Sequence, residues 1–173
     1  MGRKKQRVAR FEFVSKQQFL EDFERLLGGG EARALAAYEQ LQLPQRATAG
    51  SAGYDFFSPI DFSLAPGEQI HLPTGIRAYM QEGWVLQCFP RSGLGFKFRM
   101  QLNNTVGIID SDYYGSQNEG HIQCKLTNDS RDGKTLHIAA GQGMMQGIFL
   151  PFGITEDDAA FAQRDGGFGS TTK

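Results

Sequence analysis

Two different hydrophobic periods occupy the first 45 residues of the chain. Residues 7–14 (RVARFEFV) alternate, with Phe11 and Phe13 on one face, which is the period-two pattern of a β-strand. From residue 15 the apolar positions recur at three- and four-residue spacing, as on an amphipathic helix, and three consecutive glycines interrupt the pattern before Pro44 closes it. The sequence therefore predicts a helical hairpin over residues 15–43.

Beyond residue 46 the period changes again, to short alternating segments separated by turn residues. Pro-Gly, Glu-Gly and Asp-Gly pairs mark several of the turns. The segments predicted to form strands are 54–58, 69–72, 75–80, 84–89, 121–127, 135–139 and 145–152. Many short strands at this spacing favour a sandwich or barrel, so we predict a mainly β fold in a single domain over residues 1–173.

The composition argues against nucleic acid and membranes as partners of this chain. Hydrophobic residues make up 40% of the chain, enough for a substantial core. Lys and Arg number 18 against 19 acidic residues, so the chain lacks the basic excess of a nucleic-acid-binding protein, although two or three local cations suffice for a small anion. No apolar run of about 18 residues is present, which predicts a cytoplasmic protein without a membrane span. Cys88 and Cys124 lie in apolar segments and are predicted to be buried free thiols.

Glycine-containing stretches between the strands carry the candidate chemistry. In PRSGLGFK (90–97), Arg91 and Ser92 precede Gly93, a combination that suits a phosphate-binding turn but also an ordinary surface turn. In VGIIDSDYYG (106–115), Asp110 follows an apolar run, where it is either a general base or a carboxylate that stabilises its own turn.

Two further groups have a less specific pattern. Asp55 in SAGYD (51–55) either orients a cation or metal-bound water, or stabilises a turn. The three histidines lack the spacing of a metal site and are interpreted as ordinary strand or surface residues.

Together these stretches resemble the five ordered motifs of the trimeric dUTPase family, the deoxyuridine triphosphate nucleotidohydrolases. In chain order they read SAGYD, PRSGLGFK, VGIIDSDYYG, GMMQGIF and RDGGFGST, and the resemblance covers residues 46–173. It implies a β jelly roll of the β-clip type and a homotrimer with active sites shared between subunits. The implied reaction is hydrolysis of dUTP to dUMP and pyrophosphate with Mg²⁺, which limits uracil in DNA and supplies dUMP for dTMP synthesis.

The resemblance also implies roles for individual residues. Asp110 matches the general base that activates water for attack at the α-phosphorus, and Gln146 matches a side chain that contacts phosphate or this water. Asp55 matches a residue that supports the magnesium shell through water and also supports the arginine of the second motif. The residues matching substrate contacts are Arg91, Ser92 and Gly93 for phosphate, Asn104, Gly107 and Ile109 for uracil, Tyr113 for deoxyribose, and Arg164, Phe168, Gly169, Ser170 and Thr171 in a mobile arm over 164–173 that closes over the site of a neighbouring subunit.

The chain departs from the family pattern in four places. Gly143 stands where a basic residue is usual, Thr172 replaces a glycine, and the turn at 114–121 is longer than the common form. The hairpin over 15–43 is not part of the basic pattern.

Two alternative functions are considered. Deoxycytidine triphosphate deaminase shares the fold, but Lys125 stands where its catalytic glutamate would lie. A nucleotide-gated regulator that binds a protein partner through residues 15–43 is the other alternative.

Overall fold

The computed structural model of the chain describes residues 6–160. Its strands are β1 (Ala9–Phe13), β2 (Tyr54–Phe57), β3 (Phe62–Leu64), β4 (Gln69–Pro73), β5 (Ile76–Met80), β6 (Trp84–Pro90), β7 (Met100–Leu102), β8 (Gly107–Ile109), β9 (Gln123–Asn128), β10 (Leu136–Ile138) and β11 (Gly143–Pro151). Its helices are α1 (Lys16–Leu27), α2 (Glu31–Glu39) and α3 (Ser92–Phe98), with a 3₁₀ turn at Ser111–Gly115.

The strands pair antiparallel in four sheets. The largest has the order β2-β11-β6-β8, and a second has the order β4-β9-β7. Two smaller sheets pair β1 with β5 and β3 with β10. Their inner faces share one hydrophobic core, which includes Phe56, Leu72, Leu86, Leu126 and Met144. The predicted mainly β fold is confirmed.

Each segment predicted to be a strand is one, with ends shifted by at most two residues. The sequence did not predict β3, β7 and β8, which have three residues each and contain few alternations; β10, equally short, was predicted within the longer segment 135–139. The stretch 92–98, interpreted as a turn, is helix α3. Gly93 and Gly95 lower its intrinsic helix propensity, but Leu94 and Phe98 lie one helical turn apart and pack against the core.

The N-terminal helices form as predicted. The Ser15 hydroxyl accepts a hydrogen bond from the Gln18 amide at 3.1 Å and so caps α1. Gly28, with φ of +63°, ends this helix. The two helices enclose a smaller core of their own, formed by Val14, Phe19, Phe23, Ala34 and Ala37.

The long turn at 114–121 holds this hairpin against the β domain. The carboxylate of Glu119 accepts hydrogen bonds at 2.7 Å from both the backbone amide and the hydroxyl of Ser15. His121 is fully buried, contrary to the sequence interpretation. Its Nε2 accepts from the Gly75 amide at 2.9 Å, so the ring proton is on Nδ1, which donates to Asp22 at 2.6 Å. The hairpin and the long turn are therefore two parts of one packed unit.

Replacing Asp22 with alanine is expected to destabilise this unit by about 3 kcal/mol at pH 7, since a buried ionic hydrogen-bond partner is removed. Burial opposes ionisation of Asp22, but hydrogen bonds from His121, Arg25 and Gln18 hold its pKa below the usual value. The stabilisation is present above the unfolded pKa of about 4 and is lost as the pH falls through the lower folded pKa.

Urea unfolding at a fixed protein concentration measures this effect, and the difference from wild type should shrink in acid. The matched control is Glu21→Ala on the exposed face of α1, expected to change the free energy of unfolding by less than about 0.5 kcal/mol. Equal stability of the Asp22 variant and wild type at pH 7 would contradict the role of the pair.

Candidate active site

A cavity of about 580 Å³, which several polar side chains enter, lies on the outer face of the largest sheet. Asp55 in β2 and Gln146 in β11 are register partners, so their side chains leave the sheet on the same face. Arg91, Ser92 and Gly93 enter the cavity from the junction of β6 and α3. Strand pairing thus brings together five of the residues that the sequence proposed for phosphate and metal binding.

Arg91 is held in this cavity by two contacts. Its Nε lies 3.1 Å from Oδ1 of Asp55, and its Nη1 donates to the Gly143 carbonyl at 3.2 Å. The side chains of Arg91 and Asp55 are 39% and 20% exposed, so the guanidinium is held by two of its nitrogens and is still accessible to an anion. A planar guanidinium with further N–H donors is suited to phosphate.

Gln146 is held in a similar way. Its Nε2 donates to the Pro90 carbonyl at 3.2 Å, and its Oε1 lies 2.6 Å from the position that a Cβ on Gly53 would occupy. Because Gly53 has no side chain, the amide of Gln146 has space at this position.

A second cavity, of about 220 Å³, lies on the inner side of the sheet. Asn104, Gly107 and Ile109, proposed from the sequence for base recognition, line it. Strand β8 pairs with β6, and within residues 6–160 no strand pairs with its other edge. Such an edge presents backbone N–H and C=O groups that can pair with a planar base.

The remaining lining of this second cavity is mostly neutral. Burial and the charges of Arg25 and Lys125 lower the pKa of His71, which favours a neutral imidazole. Cys88 and Cys124 are free and buried, as predicted, and burial raises the pKa of Cys88 to about 12. The two thiols are therefore protonated at neutral pH and act as apolar lining.

Asp110 and Tyr113 follow β8 at the start of the 3₁₀ turn. Asp110 is partly exposed and its carbonyl accepts from the Tyr113 amide at 3.2 Å. Tyr113 is 3% exposed, and its hydroxyl donates to the His121 carbonyl at 2.9 Å and accepts from Asn118 at 2.8 Å. The ring position is thus fixed by the long turn, and Tyr113 is not among the residues that line the second cavity.

The structure separates Asp110 from Arg91. Ile109 is the register partner of Leu86, so Asp110 lies level with Val85, six positions along β6 from Arg91. At about 3.3 Å per residue this is about 20 Å. A general base must reach its proton directly or through one water. We therefore expect that Asp110 does not act on a phosphate held by Arg91 of the same chain.

Some of the sequence predictions lie outside the described residues: Arg164, Phe168, Gly169, Ser170, Thr171 and the arm to which they belong. Within residues 6–160, no group of three or more His, Cys, Asp or Glu side chains is arranged to hold a metal ion. In the same part of the chain, no helix has the length and apolar character needed to cross a membrane.

A sequence model of the dUTPase family matches residues 39–172, more than half of the 173 residues. This chain belongs to the dUTPase family. The deoxyuridine 5'-triphosphate nucleotidohydrolase of Lactococcus lactis subsp. lactis (strain IL1403) is 41% identical over 134 residues, which cover 76% of this chain and 88% of that protein. The one from Thiobacillus denitrificans (strain ATCC 25259 / T1) is 36% identical over 149 residues, covering 82% and 97%.

Solved dUTPase structures agree with this assignment. The crystal structure of dUTPase from Streptococcus mutans has 41% identity and a TM-score of 0.59, covering 68% of this chain and 91% of that one. A dUTPase from phage phi11 of S. aureus, with 19% identity and a TM-score of 0.62, covers 90% and 97% and supports the fold. Helix α1 and most of α2 precede the residues that the dUTPase family model matches.

Sequence reasoning did not place several residues in the inner cavity, and it considered Lys125 only as the position of the glutamate of the deaminase. His71, Gln123 and Lys125 line the inner cavity, although they lie on β4 and β9, far in sequence from Asn104. Only the pairing of these strands brings them there, and their alternation with apolar residues indicated no more than a strand.

Proposed function

We propose that this chain hydrolyses dUTP to dUMP and pyrophosphate, with an active site completed by a second copy of the chain. The observation that carries the proposal is the outer cavity, in which an accessible arginine, a carboxylate, a hydroxyl and an amide converge in a member of the dUTPase family. These are the groups needed to hold and orient a triphosphate for in-line attack.

The outer cavity binds the phosphates. Arg91 neutralises charge through the N–H donors that Asp55 and Gly143 leave open, and Ser92 donates its hydroxyl near the bridging oxygen that leaves with pyrophosphate. Gly93 exposes its backbone, since nothing lies within 4 Å of the position its Cβ would take. Gln146 contacts phosphate or the attacking water.

The donor set also suits Mg²⁺, which prefers oxygen ligands and keeps several of its waters. A partly exposed carboxylate, Asp55, lies in the outer cavity, and the triphosphate supplies the other oxygens. Asp55 would hold the ion through water, and the ion would neutralise phosphate charge during hydrolysis. Among the solved structures with a similar fold, a mutant of the dUTPase from phage phi11 of S. aureus coordinates a structural Mg(II) ion.

The inner cavity of a second copy binds the nucleoside. Asn104 and the open edge of β8 hydrogen-bond to uracil. Tyr113 is buried and outside the lining of this cavity, so its contact with deoxyribose and its exclusion of a 2′-hydroxyl stay a prediction from the sequence. Asp110 of that copy takes a proton from water, the hydroxide attacks the α-phosphorus, and the bond to the bridging oxygen breaks to release pyrophosphate.

A homotrimer supplies this arrangement three times. Ile108 is 49% exposed on the outer sheet face, and Phe152 and Ile154 are 51% and 74% exposed beyond β11. These side chains are available for contact between copies, and the trimer is proposed from membership of the dUTPase family. Closure of the arm over 164–173 on a neighbouring copy concerns residues outside the described part of the chain and stays a prediction from the sequence.

Deamination of dCTP is not favoured. No aspartate or glutamate is present among the residues that line the inner cavity, so the carboxylate base of that reaction is missing there. A protein partner bound through residues 15–43 stays a prediction.

The direct test is pyrophosphate release from dUTP, dTTP, dCTP and UTP, each with Mg²⁺ and with a chelator. We expect dUTP to be preferred over the others by at least about 100-fold, because base and sugar are each recognised by packed groups. We expect the chelator to remove most of the activity. Similar rates for all four nucleotides, or release of ammonia from dCTP, would contradict the proposal.

A further inference from the structure

Gly143 begins β11 directly beneath the side chain of Arg91. A Cβ at this position would lie 2.6 Å from Nη1, 3.1 Å from Cζ and 3.2 Å from Cδ of Arg91. The first of these distances is far below van der Waals contact, so the guanidinium and a side chain at 143 cannot occupy the present positions together. Gly143 is buried, and Arg91 lies over it.

The backbone conformation does not explain the glycine. Gly143 is not among the residues with positive φ, so its main chain is one that any residue adopts. The register of β11 against β2 shifts between Gly143 and Met145, and this irregularity leaves the Gly143 carbonyl available to Arg91. The requirement at this position is space and not backbone freedom.

We propose that Gly143 is a positioning residue for Arg91 in dUTP hydrolysis; the proposal rests on the function proposed above. With no side chain at 143, Arg91 folds back onto β11, donates Nη1 to the carbonyl and keeps Nε on Asp55. These two contacts set the plane of the guanidinium, and its other donors are held ready for phosphate. While Arg91 keeps this position, there is no room for the basic side chain that is usual in the family pattern.

Adding a side chain at position 143 is expected to disturb the site more than the fold. The atoms in the way belong to the flexible arginine, not to backbone, so Arg91 moves and the strand keeps its pairing. In Gly143→Ala we therefore expect kcat/KM for dUTP to fall by about 10- to 100-fold, which is the size of effect that a displacement of about 1 Å has on catalysis. Inhibition by pyrophosphate should weaken in parallel.

A double-mutant cycle with Arg91→Ala tests whether Gly143 acts through Arg91. Adding Gly143→Ala to the Arg91→Ala protein should change kcat/KM by less than about 2-fold, because the displaced group is already absent. The matched control is Gly153→Ala, where no atom lies within 4 Å of the new Cβ and φ is not positive. This control should retain wild-type kinetics.

Thermal unfolding of the wild type, the two single variants and the double variant keeps the test decisive if Gly143→Ala lowers the stability of the protein. Any loss caused by the clash with Arg91 should disappear in the Arg91→Ala background. Pyrophosphate binding, measured by calorimetry, tests the role of Gly143 without the need for turnover. If the wild-type protein does not hydrolyse dUTP, that result overturns the proposed function and is distinguishable from a failure of the proposal for Gly143. Wild-type kinetics and pyrophosphate binding in Gly143→Ala, or an equal loss in both backgrounds, would overturn the role of Gly143.

Discussion

Asp110→Asn is expected to lower kcat for dUTP by about 10²- to 10⁴-fold, the range that a general base contributes. The amide has nearly the shape of the carboxylate but cannot accept the proton of the attacking water. Asp110 lies at the end of β8, next to the inner cavity and outside its lining, so the nucleoside contacts remain intact. Affinity for dUTP should therefore change much less than kcat.

The measurements are steady-state pyrophosphate release and dUTP binding by calorimetry. Asp112, exposed on the same 3₁₀ turn, provides the matched control: Asp112→Asn should keep kcat within about 2-fold of wild type, since a surface carboxylate outside the site carries no step. Near-normal turnover in Asp110→Asn, or an equal loss of kcat in both variants, would contradict the role of Asp110 as the general base.

Two inactive variants are expected to restore each other's activity. Asp110 lies level with one end of β6 and Arg91 follows its other end, about 20 Å away, so we expect each active site to take them from different copies. Arg91→Ala and Asp110→Asn each damage every site of their own homotrimer. In randomly mixed trimers, a site that pairs the intact Asp110 of one variant with the intact Arg91 of the other arises with a probability of about one quarter.

Coexpression of the two variants with different affinity tags, followed by tandem purification, yields the mixed trimers. About a quarter of the wild-type rate is expected from random assembly, and selection for both tags enriches mixed trimers further. A chain with the double substitution, coexpressed with either single variant, is the control, because no site then receives both intact groups. Mixed trimers as inactive as this control would show that Asp110 and Arg91 serve one site from the same chain, or that they do not serve one site at all.

Local sequence patterns predicted most of the secondary structure. The alternation of Phe11 with Phe13 and the helical spacing of Phe19 with Phe23 are determined by a few neighbouring residues, and β1 and α1 form where these patterns lie. The pattern was insufficient where an element is very short or where glycine lowers its propensity. Strand β8 has three residues and α3 contains two glycines, so tertiary packing decides both.

Residue types in ordered motifs also indicated candidate groups for the site. They did not indicate which groups meet within one chain. Asp55 meets Arg91 because β2 and β6 flank β11, and that order is a property of the sheet. The separation of Asp110 from Arg91 follows from the antiparallel register of β6 with β8, to which residues close in sequence contribute little.

The sequence alone determined the family of this protein and the helical hairpin before the family's motifs, and it proposed a set of groups for a triphosphate. The tertiary structure decided the partners of those groups. His121, interpreted from the sequence as ordinary, is buried against Asp22 and fastens the hairpin to the long turn. Gly143, a departure without an evident reason in the sequence, lies beneath Arg91. The hydrophobic period of a segment indicates which of its residues face the core of the protein. The contacts of His121 and Gly143 depend instead on how elements distant in sequence pack together, and only the folded chain shows that packing.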